Sequence, residues 1–382
     1  MSVTDSTFWL GLTNSAASLF IVFMAPGLGA IADQGGMKKK FLFFFASVGI
    51  ISTATLSILA EGMWSYAAWA FGFGLVGFTG ANIFYDALIV EVSPPEKRDW
   101  LSSLGYSLGY LGGGILFTLN VLMTLNPHWF GLSSATMAIK ISFVSVALWW
   151  GFFSIPLFRF VKEAPTHSYP LPRAFKKGIR EVAQTFRRVR ALPGTFLFLF
   201  SFWLYMDGVD TIIRMALDYG VSLGLESKHL ISALLITQFV GFPSALAFGK
   251  VGTKFGAKNG ILICIAIYLG VVFGAFHLTN EIQFYGLAAV VGLAQGGIQA
   301  LSRSLYSTMI PAHRSGEFFG FYNMMGKFAA VIGPVLMGIV GKLTDSPRYS
   351  ILSLAALLVT GGIILLTVDV QTAQKNAANY TD

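Results

Sequence analysis

The chain has 382 residues, of which 55% are hydrophobic and only 12% charged. Soluble domains average about 25% charged residues, so a chain this poor in charge cannot face water on all sides. Its formal charge of +8 sits in short connectors between apolar runs, which excludes a basic nucleic-acid groove and points to membrane topology.

Apolar runs long enough to cross a hydrocarbon core about 30 Å thick recur along the whole length. In lipid they must be helical, because each backbone amide has to be satisfied within its own segment. Eleven spans are predicted, at 8–32, 41–60, 64–90, 100–125, 136–158, 195–217, 230–249, 261–278, 284–309, 317–341 and 350–369. They divide the chain into an N-terminal helix bundle over 1–158, a basic linker over 159–194, a C-terminal bundle over 195–370 and a tail over 371–382. The linker carries Arg159, Lys162, Arg173, Lys176, Lys177, Arg180, Arg187, Arg188 and Arg190 and is read first as a solvated connector between two halves, with a short amphipathic helix on the membrane surface over 181–190 as the alternative. The one cysteine, Cys264, lies inside an apolar run, so neither an intramolecular disulfide nor a thiolate metal cluster is expected. No basic segment with a small-residue cleavage site near Met1 marks a removable signal.

Alternate connectors differ in charge. One set, containing Lys38 to Lys40, Lys97, Arg98, the linker, Lys250, Lys254, Lys258, Arg314 and Lys375, holds 19 Lys and Arg, whereas the other set holds only Lys228, Lys342 and Arg348. The positive-inside rule makes the first set cytoplasmic. The C-terminus is then cytoplasmic, Met1 lies outside, and the expected location is the inner cell membrane.

An internal repeat supports a two-half plan. Gly29, Asp33, Gly36 and Lys38 recur in spacing as Gly249, Thr253, Gly256 and Lys258, and Pro95, Arg98 and Tyr106 recur as Pro311, Arg314 and Tyr322. The segment Gly29 to Lys38 resembles the loop motif between the second and third helices of the major facilitator superfamily, with Met37 where a basic residue is usual. Three longer segments, 85–115, 204–221 and 299–335, are similar to the "unknown major facilitator" branch, which includes the autophagy-related vacuolar amino-acid effluxers. The resemblance implies an all-α major facilitator fold of two pseudo-symmetric bundles, with about 11 helices here and 12 in the family. It places the family's first helix ahead of this chain's first span, and the outward position of Met1 leads to the same expectation.

By resemblance the sixth and ninth spans line a central cavity. The sixth carries Asp207, Asp210, Arg214 and Asp218 within an arc of about 80° at 100° per residue, so they share one face. They are candidates for solute or proton coupling, or alternatively a self-neutralising set that holds helices together. Gln295, Gln299 and Arg303 form a second stripe, suited either to a polar solute with a carboxylate or to interhelical hydrogen bonds. Lys327, with Asn323 one turn before it, stands deep in the tenth span. It is expected to meet Asp207, Asp210 or a substrate anion. Gly29, Asp33, Gly36 and Lys38 are read as a gating motif, with the resemblance bringing Asp33 to the start of the tenth span near Glu317. Gly333-Pro334 and Gly338 mark a packing or hinge point.

These residues predict a secondary transporter of a small polar solute, with amino-acid efflux implied by the resemblance and proton coupling suggested by Asp207, Asp210 and Lys327. The alternative is a non-transporting receptor or an inactive facilitator. All five histidines fall in or beside connectors and no nucleophile–base or metal-ligand spacing appears, so an enzyme is not expected. The expected partners are the solute, protons and the lipid bilayer, around a monomer with neither cofactor nor nucleic acid.

Overall fold

A computed structural model of the chain describes residues 3–163, 184–222, 224–328 and 332–380. Every regular element among them is a helix: α1 Val3–Gly35, α2 Lys38–Thr55, α3 Trp64–Ala87, α4 Arg98–Leu125, α5 Ala135–Phe160, α6 Pro193–Ser222, α7 Ser227–Phe255, α8 Ala257–Phe276, α9 Glu281–Thr308, α10 Ser315–Phe328, α11 Ile332–Thr344, α12 Pro347–Leu352, α13 Leu354–Thr367 and α14 Val370–Ala378, with a few short helical turns between them.

Ten helical stretches among the described residues are long and apolar enough to cross a membrane. They answer to the spans predicted from 41–60 onward, and the span predicted at 8–32 lies within the 33-residue α1. Several helices overrun the predicted edges, as where 230–249 becomes Ser227–Phe255. Polar residues end an apolar run, but the backbone keeps its hydrogen bonds into the interface. Within 181–190, where a short helix is the alternative to a solvated linker, residues 184–190 are described and helical, with Val189 buried and Phe186 exposed. Arg173, Lys176, Lys177 and Arg180 lie outside the described residues.

Large apolar side chains face outward in quantity. Along the apolar span of α5 only 6% of an 18-residue window is buried, and Leu148, Phe152 and Phe153 are exposed. Such a surface would aggregate in water and is stable against lipid.

Contacts group the chain into two units, one of Met1–Val92, Leu116–Arg187 and Ala312–Met324, the other of Ser93–Ile115, Arg188–Pro311 and Met325–Asp382. In the first, α2 and α3 approach through Gly49, Gly77 and Gly80, and a Cβ on Gly77 would sit 2.7 Å from the Phe45 carbonyl oxygen. Phe41 and Phe45 stack on Phe84 with ring centroids 5.3 and 6.1 Å apart. In the second, α6 and α13 meet at Gly361, whose carbonyl accepts from Ser201 Oγ at 2.7 Å. Small residues give close backbone approach where lipid supplies no hydrophobic drive between helices. Cys264, on α8, is fully buried there.

In the first unit two helix ends cap each other. Glu163, just past α5, accepts the first amides of α2 from Lys38 (2.6 Å) and Lys39 (3.2 Å), while Lys39 Nζ donates to the last carbonyls of α5, Phe158 (3.0 Å) and Val161 (2.5 Å). Met37, the residue before α2, supplies no side-chain cap. Glu163→Ala is therefore expected to cost about 1 kcal/mol and to lower the melting temperature in detergent by about 2–4 °C. Intrinsic fluorescence melting would read this, and an unchanged melt would show that the capping contributes nothing.

Candidate functional site

The first candidate site is built on the end of α1. Gly36 ends that helix with φ +57°, a left-handed conformation that a Cβ disfavours, and Met37 N closes the turn on Ala32 O at 3.0 Å. This turn leaves Asp33 on the last turn of α1 and Lys38 at the start of α2. Asp33 accepts from the first amides of α10, Gly316 N at 2.9 Å and Glu317 N at 2.7 Å. Lys38 Nζ reaches Asp33 at 3.0 Å, Glu91 at 2.6 Å and Ser315 Oγ at 2.9 Å, which satisfies all three ammonium donors. Glu317 accepts from Thr185 Oγ1 at 2.7 Å and Arg314 Nη1 at 2.9 Å. Asp33, Lys38 and Glu317 are all buried. The approach is permitted by glycine: any Cβ on Gly29 would collide with the Gly316 carbonyl, and one on Gly320 with that of Ala25.

The repeat-related segment builds a different contact in the second unit. Gly249 packs on α4, where a Cβ would come within 2.7 Å of Ser103 Cβ, and Gly256 again has positive φ, +85°. Thr253, in the place of Asp33, spends its hydroxyl on Gly249 O of its own helix at 2.9 Å. Lys258 caps α13 through Leu366 O and Val368 O, both at 2.8 Å. Here α4 is held to α9 instead, by Arg98 Nη1 on Ser307 O (2.7 Å) and Ser304 Oγ on Asp99 Oδ1 (2.5 Å).

Two of the predicted ligands on α9 point into this α4–α9 contact. Arg303 is buried, donates to Ser102 Oγ (2.9 Å) and Ser102 O (3.1 Å), and lies 4.6 Å from the Tyr106 ring centroid. Gln299 accepts from Tyr110 OH at 3.2 Å. Gln295 differs, because its Oε1 is buried with no partner. It lines a cavity of about 80 Å³ with Ile213, Leu217, Thr237 and Val291.

The α6 charges separate into different environments. Asp207, fully buried, accepts from Ile332 N at 2.9 Å, Gly333 N at 2.8 Å and Thr211 Oγ1 at 3.3 Å. Asp210, one turn on, lies within electrostatic reach of Arg214 and Lys327. Arg214 is exposed and Lys327 half-buried. The side chain of Asp218 is outside the described residues. Asn323, one turn before Lys327, faces elsewhere: its Nδ2 donates to Asp86 Oδ2 at 3.3 Å and Phe319 O at 3.0 Å, in the first unit. Of the candidates, Asp210 has Arg214 and Lys327 within electrostatic reach, whereas Asn323 and Arg303 each serve another helix contact.

Tyr110, Tyr268, Glu91, Ser315 and Asp99 belong to these clusters and were not singled out from sequence. Tyr268 OH is buried without a partner, in electrostatic reach of Tyr110 and Asp210. A lone Tyr in an apolar run carries no signal of its own, so only the packing reveals it.

Membrane-capable helices whose ends are joined by a buried Asp–Lys motif, with ionisable groups inside the spans, are what a transporter of the major facilitator class would present, and the comparisons with known proteins identify that class. The solved structures of that class agree in fold. The proton:xylose symporter XylE superposes with a TM-score of 0.73 at 15% identity, covering 97% of this chain and 88% of that one. The E. coli fucose:proton symporter FucP superposes with a TM-score of 0.68 at 13% identity, covering 96% and 92%. Within the class, the chain belongs to the family described as "Vacuole effluxer Atg22 like", whose model matches residues 1–91 and 90–378. Among its relatives is an MFS-type transporter, YxiO of Bacillus subtilis, 36% identical over all of this chain and 89% of its own length. Autophagy-related protein 22-1 of Aspergillus niger is 26% identical over 74% of this chain and 49% of its own.

Proposed function

We propose that this chain is a secondary carrier that exports an amino acid by alternating access, in exchange for or together with protons. The observation that carries the reading is Asp210 inside a span, with Arg214 and Lys327 within electrostatic reach of it. One anionic and two cationic groups complement a zwitterion, whose ammonium would face Asp210 and whose carboxylate would face Lys327. The two bundles of 1–158 and 195–370 would rock about this site. The Asp33–Lys38–Glu91 network would hold the cytoplasmic end of α10 in one state and release it in the other. The setting is the inner membrane, with a cytoplasmic C-terminus and a monomeric carrier.

The direct test is counterflow. Purified protein in liposomes loaded with one unlabelled amino acid should take up the labelled form several-fold above protein-free liposomes, and an imposed pH gradient should drive accumulation. Absence of counterflow across a panel of all twenty amino acids, from protein shown to be monodisperse, would reject the amino-acid carrier. Counterflow indifferent to the gradient would remove the proton coupling alone.

A further inference from the structure

Asp207 has the position of a transport residue but not the surroundings of one. It stands midway along α6, fully buried, and yet none of its hydrogen bonds involves a cation. Both carboxylate oxygens are spent: Oδ2 on Ile332 N, Oδ1 on Gly333 N and on Thr211 Oγ1. Ile332 and Gly333 are the first two described residues of α11, and both amides donate across to α6. Pro334 follows and has no amide hydrogen to offer, so among the first three residues of α11 these two are the only donors. In lipid such donors cannot turn to water. A side-chain carboxyl from a neighbouring helix meets both of them.

The fit depends on Gly333. A Cβ there would collide with Thr211 Oγ1 and come within 2.8 Å of Asp207 Oδ1. Asp207, Thr211 and Gly333-Pro334 are thus parts of one joint: a carboxylate, a hydroxyl one turn on that steadies it, and a residue small enough to admit both. Asp210 is left as the acidic group in electrostatic reach of Arg214 and Lys327.

We infer that Asp207 is a positioning residue, whose carboxyl group fastens Ile332 and Gly333 of α11 to the middle of α6 and makes that junction a fixed pivot within the bilayer. It is not a solute ligand. The inference deepens the carrier reading by dividing the two acidic residues between pivot and solute, but its structural arm stands without any transport.

The experiment is hydrogen exchange on the full chain in detergent, followed in peptides that begin before Lys327 and end by Met337. Asp207→Asn keeps the volume but offers one acceptor and turns an amide NH2 toward a donor. Its exchange at Ile332 and Gly333 should be at least tenfold faster than wild type, with α8 peptides unchanged. Gly333→Ala keeps the carboxylate and displaces it, and should reproduce the effect. The double variant should exchange no faster than Asp207→Asn alone, because both act on one joint. Thr211→Val, a milder change, should give a smaller increase in the same peptides and serves if the others fail to fold. In counterflow, Asp207→Asn should lower the maximal rate about tenfold and leave KM within twofold. Unchanged exchange in the variants would overturn the inference, and so would a raised KM at unchanged maximal rate. Loss of counterflow in the wild type would bear on the carrier reading and leave the exchange result to decide the pivot.

Discussion

Replacing Asp33 with alanine should unfasten the start of α10. The substitution removes the acceptor of two buried amides, Gly316 N and Glu317 N, and one of the two carboxylates that neutralise Lys38. Removing one partner of a buried ion pair costs about 3–5 kcal/mol, chiefly because the other charge stays buried without it. Lys38 keeps Glu91, so the lower end of that range applies. A cysteine placed at Ser315, buried in the native chain, should resist a membrane-impermeant maleimide in the native background and react at least tenfold faster when Asp33 is alanine. Asp33→Asn keeps one acceptor oxygen and should fall between the two. Equal labelling in all three backgrounds would show that the contact holds nothing shut.

The second large effect is expected at Lys327. If it receives the solute's carboxylate, Lys327→Ala should reduce counterflow by about 100-fold, equivalent to ~2.7 kcal/mol of lost stabilisation. Lys327→Arg should retain part of the rate, since charge survives but the donor geometry changes. The decisive variant pairs Lys327→Ala with Asp210→Asn. Were the two residues only an ion pair, removing both would restore activity, because neither charge is then left alone. A solute site predicts that the double variant is as inactive as the worse single one. Recovery would assign the pair to structure.

How much of this was legible in the sequence differs by feature. The membrane bundle followed from length and charge alone, because apolar runs of about 20 residues are twice the length of a spanning strand and satisfy their amides in lipid as helices. The repeat pointed to Gly29, Asp33 and Gly36; the left-handed turn at Gly36 is local enough to leave a mark, whereas the approach of Gly29 and Asp33 to the start of α10 was legible only through the family resemblance. Periodicity placed Asp207, Asp210 and Arg214 on one face of α6. It could not show that Asp207 faces the amides of Ile332 and Gly333, more than a hundred positions on, while Asp210 makes no such contact. Arg303 illustrates the same limit. Its place in a polar stripe on α9 suggested an open cavity, but the stripe is also what α4 packs against, and Ser102 and Tyr106 take up the guanidinium. Sequence spacing tells which residues share a face and not what that face meets.

One buried thiol has a practical meaning for all of these experiments. Cys264 is the chain's one cysteine and is fully covered on α8, where a maleimide cannot reach it without prior unfolding. The native protein is therefore already a silent background for thiol chemistry. A reporter cysteine at Ser315, or at any position on the wetted ends of the helices, would give its signal against nothing else, and exposure of Cys264 itself would register loss of the folded second unit.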